Sequence, residues 1–373
     1  MAHKTISLCR KSSLITAFML LLQVAAAQAD FSEVDAWLKD NVKDLGGRAV
    51  LLIYKDGKIV YNKAENELSG KQKMIGKFIA RRQGKDVDEM LQDFTSTTKE
   101  LIASCSKWLS AALVMTFVDE GKLNANDSIG KYLPVMTANG KGYIKIWQCL
   151  SHLSGIKTAS LKDSRELSNK AQTMDEAMEN IAQLPMEGEP GKTFHYSSAG
   201  LQIAAAIIEK ISGKDFETLF QERIANPCGM KNTDFGKVKV PLAAGGARGT
   251  AEDYMNFLVM LLNNGMYKGR KVLSRESVIE MQKNRVTKDA TIAFSPAEAG
   301  NWGYGYGEWV MDDAVGDKRS LGVTSPGAFG SFPWVDNKLN YCGFLFTFNL
   351  KSKGRNEKYK RLKKIVDEAI TVK

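Results

Sequence analysis

"AVLLIYKDGKIVYNKA", residues 49–64, consists of two short apolar runs joined at Asp56-Gly57. A two-residue hairpin turn needs positive φ, which an Asp-Gly pair supplies at little cost, so this stretch predicts an antiparallel hairpin. Matching patterns stand at the far end of the chain. "YGYGEWVMDD" (304–313), "RSLGVTSPGAFGSFPWVD" (319–336) and "LNYCGFLFTFNL" (339–350) read as strands, and 355–371 reads as a basic amphipathic helix. Between them, residues 99 to about 285 are mainly helical, with glycine and proline marking the breaks. The expected fold is therefore α/β of the α+β kind: an antiparallel sheet formed from both termini, flanked by terminal helices, with a mainly helical subdomain inserted. The expected division is 30–93 and 290–373 for the sheet part and 94–289 for the helical part. Within the first part, residues 65–93 predict two short amphipathic helices, a surface elaboration near the entrance to a site. Arg81 and Arg82 are expected on its solvated face.

The chain opens with Lys4, Arg10 and Lys11, continues with an apolar run from Leu14 to Ala27, and reaches Ala27-Gln28-Ala29. A basic start, a short apolar stretch and an A-x-A site predict a secretory signal peptide over 1–29, and so a secreted, periplasmic product with no lasting membrane span. Cleavage there leaves 344 residues and lowers the formal charge from +10 to +7. That surplus sets solubility more than it selects a partner, and no nucleic-acid-binding motif accompanies it. Cys105, Cys149, Cys228 and Cys342 lie in apolar settings without close pairing and are expected as buried free thiols. With His152 and His195 the only histidines after residue 29, and no C-x-x-C or H-x-x-x-H spacing, neither a metal site nor another cofactor is expected.

Chemistry concentrates at three separated places. In "IASCSKWLSAALV" (102–114), Ser104 at a helix start and Lys107 one turn on share a face. A lysine forced inward loses proton affinity and can take a hydroxyl proton, which makes Ser104 a candidate nucleophile. "FHYSSAGLQIAAAIIEKISG" (194–213) sets Tyr196 and Ser198 ahead of another apolar helix; a phenol near an ammonium ion is expected to ionise more easily and relay protons. "TSPGAFGSFPWVD" (324–336) gives a glycine-rich strand edge suited to holding an oxyanion by a backbone N–H. His152 is expected to order a loop, and Cys105 to pack inward. His195 is a candidate for lining the site with its side chain turned away from that of Tyr196. Trp302, Tyr304 and Tyr306 form either an aromatic wall or a packed strand start.

With these residues in view, the chain resembles the serine β-lactamase and penicillin-binding-protein-like hydrolases, in the branch of class C β-lactamases, D-alanyl carboxypeptidases and esterases. "IASCSKWLSAALVMTFVDEGKLNANDSIGKYLP", "CLSHLSGI", "EPGKTFHYSSAGLQIAAAIIEKISG", "NPCGM", "GGARGTAEDYMNFLVMLLNNG", "NWGYGYG" and "GAFGSFPWVD" follow one another in that family's order, over roughly residues 31–370. The resemblance implies an acylated Ser104, Lys107 as its proton acceptor, and Tyr196 as shuttle to the leaving group. It places the backbone N–H groups of Ser104 and Ala328 in an oxyanion hole, with Ser198, Ser325 and Gly327 facing the substrate. Two positions depart from the family. Ser198 stands where a Tyr-x-Asn motif has asparagine, and Ser325-Pro326-Gly327 stands where Lys-Thr-Gly is usual. Losing that lysine removes a charge-assisted contact worth about 1.5–3 kcal/mol to a substrate carboxylate, unless Lys318, Arg319 or Arg248 replaces it. The implied activity leans to an esterase or amidase acting on a small-molecule ester, amide or peptide. β-Lactamase or D-alanyl carboxypeptidase activity, or a catalytically weak binding protein on the same scaffold, are the alternatives.

Overall fold

The computed structural model describes residues 29–84, 86–158, 171–312, 318–351 and 353–371. The expected signal peptide thus falls outside the described residues, save for Ala29. Strands β1 (Arg48–Lys55) and β2 (Lys58–Asn66) form the hairpin, with Asp56 and Gly57 both at positive φ, 50° and 82°. The other strands of the main sheet are β3 (Gly303–Tyr304), β4 (Trp309–Val310), β5 (Gly322–Thr324), β6 (Phe332–Asp336) and β7 (Tyr341–Thr347). Their order across the sheet is β2-β1-β7-β6-β5-β4-β3, antiparallel throughout. The two ends of the chain do meet: Ala49 opposes Thr347 and Lys55 opposes Tyr341.

Alternation along β1 explains why this sheet is buried on both faces. Val50 and Leu52 point inward, to a core shared with Phe344 and Phe346 of β7 and with helices α4 (Ser106–Asp119), α5 (Ala199–Ser212) and α6 (Ala251–Leu262). Ala49, Leu51 and Ile53 point outward, to a second core with Phe332, Trp334 and Leu345. That core is roofed by α1 (Ser32–Asn41) and α7 (Arg355–Thr371) through Val34, Leu38, Leu362 and Val366. Helix α4 is buried on almost its whole circumference, so its sequence is apolar all round rather than amphipathic.

The elaboration after β2 is two helices, α2 (Gly70–Gln83) and α3 (Val87–Leu91). Two features were not legible in the sequence. Thr193–His195 pairs in parallel with the exposed Thr291–Phe294, and the helix begun at Phe216 ends in a π turn over Gln221–Ala225. All four cysteines of the described residues are buried and free. Among those residues no helix is long and apolar enough to cross a membrane.

Candidate active site

Ser104 lies in a 3₁₀ turn, Ala103–Cys105, that runs straight into α4. One turn along, Lys107 Nζ sits 3.2 Å from Ser104 Oγ and donates a 2.8 Å hydrogen bond to the carbonyl of Ala244. Lys107 is 1 % exposed, and burial pushes it down to about 7. Its described partners are a hydroxyl and a carbonyl, neither of them a charge. That is why desolvation dominates, and why an amine able to accept a proton stands beside the serine near neutral pH.

A single strap, residues 243–247, fixes this geometry by running alongside the helix start. Ser110 Oγ donates to the Ala243 carbonyl at 2.6 Å, Ala247 N donates to Ser106 Oγ at 3.0 Å, and Ile102 N donates to the Ala247 carbonyl at 3.0 Å. From the other side Tyr254 Oη donates to the Cys105 carbonyl at 2.9 Å. Ala103 is held at φ 48°, in the left-handed region where a residue with a Cβ is strained. No residue pattern marks the strap, because its contribution to the site is made through backbone atoms.

Tyr196 stands beside Ser104, whose hydroxyl acts to lower the phenol's pKa, and its ring lies with its centroid 4.7 Å from Lys107 Nζ. The ring is clamped by Trp309, stacked at 5.1 Å, and by His152 at 4.6 Å. His152 Nδ1 accepts from the backbone N–H of Ser197 at 3.4 Å, leaving Nε2 to donate to Tyr304 Oη at 3.1 Å. Burial and the nearby Lys107 keep this imidazole neutral, well below its usual value. His152 therefore orders the loop that presents Tyr196, as expected. The expected ease of ionisation of Tyr196 does not hold: burial pushes the phenol up by more than the neighbouring Ser104 hydroxyl lowers it. Tyr196 stands beside Ser104 as a protonated phenol.

The third element closes on the same turn. Ser325 Oγ donates to the carbonyls of Gly307 and Ser104, at 3.0 and 3.3 Å. A Cβ on Gly327 would fall 2.5 Å from the Ile102 carbonyl oxygen and 3.2 Å from Cys105 Sγ, so only glycine lets the two backbones approach this closely. Gly307, at φ 73°, is pressed in the same way against the Lys107 carbonyl. Nucleophile, amine, phenol and glycine-rich turn, separated by more than two hundred residues of chain, converge on one point.

A family model described as Beta-lactamase matches residues 35–367. The chain belongs to the beta-lactamase family. Membership places it among serine hydrolases, and the likeness extends to solved structures. A Bacteroides dorei chain solved as a candidate beta-lactamase is 27 % identical with a TM-score of 0.76, over 92 % of this chain and all of that one. EstCE1, "a hydrolase with promiscuous acyltransferase activity", shares the fold at 19 % identity and a TM-score of 0.66, over 91 % of this chain and all of its own. Among curated relatives, an Escherichia coli K12 protein named as a candidate D-alanyl-D-alanine carboxypeptidase is 27 % identical over 213 residues. The match takes in 55 % of this chain but 46 % of that relative, about half its length.

Within this beta-lactamase-family scaffold several sequence expectations move. Ser325 was expected to face substrate, but its one proton is committed to backbone carbonyls and it is 2 % exposed, so it braces the turn. Arg319 cannot stand in for the missing lysine, because its fork is taken by Gln282, Asn264 and Asn337. Arg248 is exposed and paired with Glu100 at 3.7 Å. Ser198 is buried at the start of α5 without capping it. His195 hydrogen-bonds Glu187 and Thr158, not the serine. Cys105 is fully buried and pushed up as a thiol, which removes it as a rival nucleophile. Tyr304 joins the clamp around Tyr196, whereas Trp302 stacks towards Phe332 on the outer face.

Proposed function

We propose that this chain is an exported serine hydrolase working through an acyl-enzyme on Ser104, with an ester or amide of a small acyl compound as substrate. The observation that carries it is Lys107 Nζ 3.2 Å from Ser104 Oγ with the Tyr196 ring beside both, the amine pushed down to about 7 by burial.

In the acylation step Ser104 Oγ bonds to the acyl carbon while its proton passes to Lys107 Nζ. The carbonyl oxygen takes up the electron pair and is held by the N–H groups of Ser104 and Ala328. Collapse of the tetrahedral species breaks the bond to the leaving oxygen or nitrogen, which receives a proton from the Tyr196 hydroxyl; Lys107 then returns its proton to Tyr196. Water attacks the acyl-enzyme along the same route, its proton going to the phenol–amine pair; the Ser104 ester bond then breaks to release the acid, and that proton returns to Ser104 Oγ. A phenol that stays protonated at rest suits the donor half of this cycle, and an amine near 7 suits the acceptor half.

Substrate choice follows from the third motif. With serine at 325 tied to the backbone, the Arg319 guanidinium bound elsewhere and Arg248 paired with Glu100, the turn at 324–330 itself carries no cation for a substrate carboxylate. That favours esters and amides of uncharged acyl groups over β-lactams and D-Ala-D-Ala peptides. Export rests on the Lys4–Ala29 pattern alone.

The test is p-nitrophenyl butyrate turnover with an initial burst, together with fluorophosphonate labelling at Ser104; Ser104→Ala should abolish both. Absence of labelling between pH 7 and 9 would favour a binding protein on this scaffold. Nitrocefin turnover matching that of the ester would overturn the substrate class while leaving the acyl-enzyme intact.

A further inference from the structure

Helix α2 is a fully formed helix with an unusual surface. A capping box starts it, Ser69 Oγ accepting from Gln72 N at 3.3 Å and Gln72 Oε1 accepting from Ser69 N at 2.8 Å, and Gly84 ends it in the left-handed conformation. It docks on α3 through its small residues: Ala80 is fully buried, and a Cβ on Gly76 would fall 2.6 Å from Leu91 Cδ2. The large apolar residues face the other way. Met74, Ile75 and Phe78 are 65 %, 44 % and 64 % exposed, three of the eleven exposed large hydrophobic residues described. At about 100° per residue they share one arc of the helix. Lys73, Lys77 and Arg81, spaced i, i+4, i+8 and all exposed, form a basic ridge along one side of that arc, while Lys71 and Arg82 stand at its two ends. The helix has no acidic residue, and with the acids that follow it the segment 69–91 still carries a net +3.

An apolar arc bordered by lysine and arginine, fixed in place by its other face, is the pattern of a helix that lies in the headgroup region of a bilayer. We propose that α2 docks this protein on a membrane surface bearing anionic phospholipid, with Met74, Ile75 and Phe78 entering the acyl boundary and Lys73, Lys77 and Arg81 meeting the headgroups. A protein partner with an apolar groove would accept the same three side chains, but it gives no reason for a continuous basic ridge beside them. Opposite charge across the whole contact favours the lipid surface.

The test is sedimentation with vesicles, using the chain from Asp30 onward, which contains every described helix and strand and leaves out the apolar run Leu14–Ala27. Binding is expected to vesicles of equal parts phosphatidylglycerol and phosphatidylcholine, to weaken in about 0.5 M NaCl, and to be far weaker on phosphatidylcholine alone. Met74→Ser with Phe78→Ser should lower partitioning at least about thirtyfold. Lys73→Gln with Lys77→Gln and Arg81→Gln should cost about fivefold per charge and flatten the salt dependence. Thermal melts matching the unsubstituted chain establish that both variants fold. The proposal fails if anionic vesicles bind no better than neutral ones, or if the apolar double variant binds unchanged. It also fails if light scattering shows a dimer that the double variant dissolves, since the face would then belong to a second copy.

Discussion

On the outer face of the sheet, Lys363 of α7 lies 2.6 Å from Asp336 and 2.9 Å from Asp367, over the ring of Tyr341. On the inner face, Lys107 of α4 is set deeper and meets the Ala244 carbonyl, the Ser104 hydroxyl and the face of the Tyr196 ring, with no carboxylate paired to it among the described residues. Both lysines sit on a helix packed against the same sheet. The outer one is met by two carboxylates, which repay part of its desolvation, and its work is to tie a helix to a strand. The inner one is denied a counter-charge, so burial pushes it down to about 7 and the proton becomes movable. The difference between a structural and a reactive lysine here is the company of a carboxylate.

Removing the inner amine tests this most severely. Lys107→Met should lower kcat/KM by about 10²–10⁴-fold, since it deletes the proton acceptor. The same change should raise stability at pH 7, by about 1–3 kcal/mol once the loss of the Ala244 hydrogen bond is deducted. The sign follows from linkage. The folded-state value lies below the ordinary 10.5 of an unfolded lysine, so at this site the unfolded chain binds more protons between about pH 7 and 10.5, and the contribution of Lys107 to stability rises with pH across that window. Urea unfolding at pH 7 and pH 10 should show the stability gap between Lys107→Met and the unsubstituted chain narrowing as the pH rises, the buried thiols and phenols acting alike in both.

Tyr196→Phe comes next, with a loss of about a hundredfold in kcat and an unchanged melt, measured on the ester substrate. The pH profile of kcat/KM sharpens the comparison without any mutation: its acid limb should fall with a midpoint near 7 as Lys107 takes up a proton. A limb centred above 9 would mean that burial leaves the proton affinity of Lys107 that of an ordinary lysine. Asp336→Asn strips Lys363 of one carboxylate and should cost about 1–3 kcal/mol in urea unfolding with turnover unchanged. Ser325→Ala is the mildest, about 1 kcal/mol, because two carbonyls lose one shared donor.

Much of the architecture was legible because it rests on periodicity. The Asp56-Gly57 hairpin, the strand patterns after 304 and the closing helix forced a sheet made from both ends, and β1 pairs with β7 accordingly. The Ser104–Lys107 spacing likewise followed from helix geometry alone. What stayed hidden depends on depth and on backbone atoms. The exposed strand Thr291–Phe294 has no alternation to read, and the strap at 243–247 acts largely through carbonyls and N–H groups that every sequence has. The protonated state of Tyr196 comes from complete burial between Trp309 and His152. Glu308 was missed for a similar reason: it looks like a surface residue in "YGYGEWV", yet it is fully buried and its carboxyl is pushed well above the usual range.

The pairing of β1 with β7 also sets a timetable for the growing polypeptide. Ala49 waits for Thr347, and at about 5–20 residues added per second the interval is on the order of 15–60 s. Through that interval the first hairpin has one long edge without its mate, and the outer core over it lacks the last two strands and the closing helix. Any chaperone or transport factor that handles this chain during synthesis meets that open edge first, and the window for it closes only when the last strand arrives.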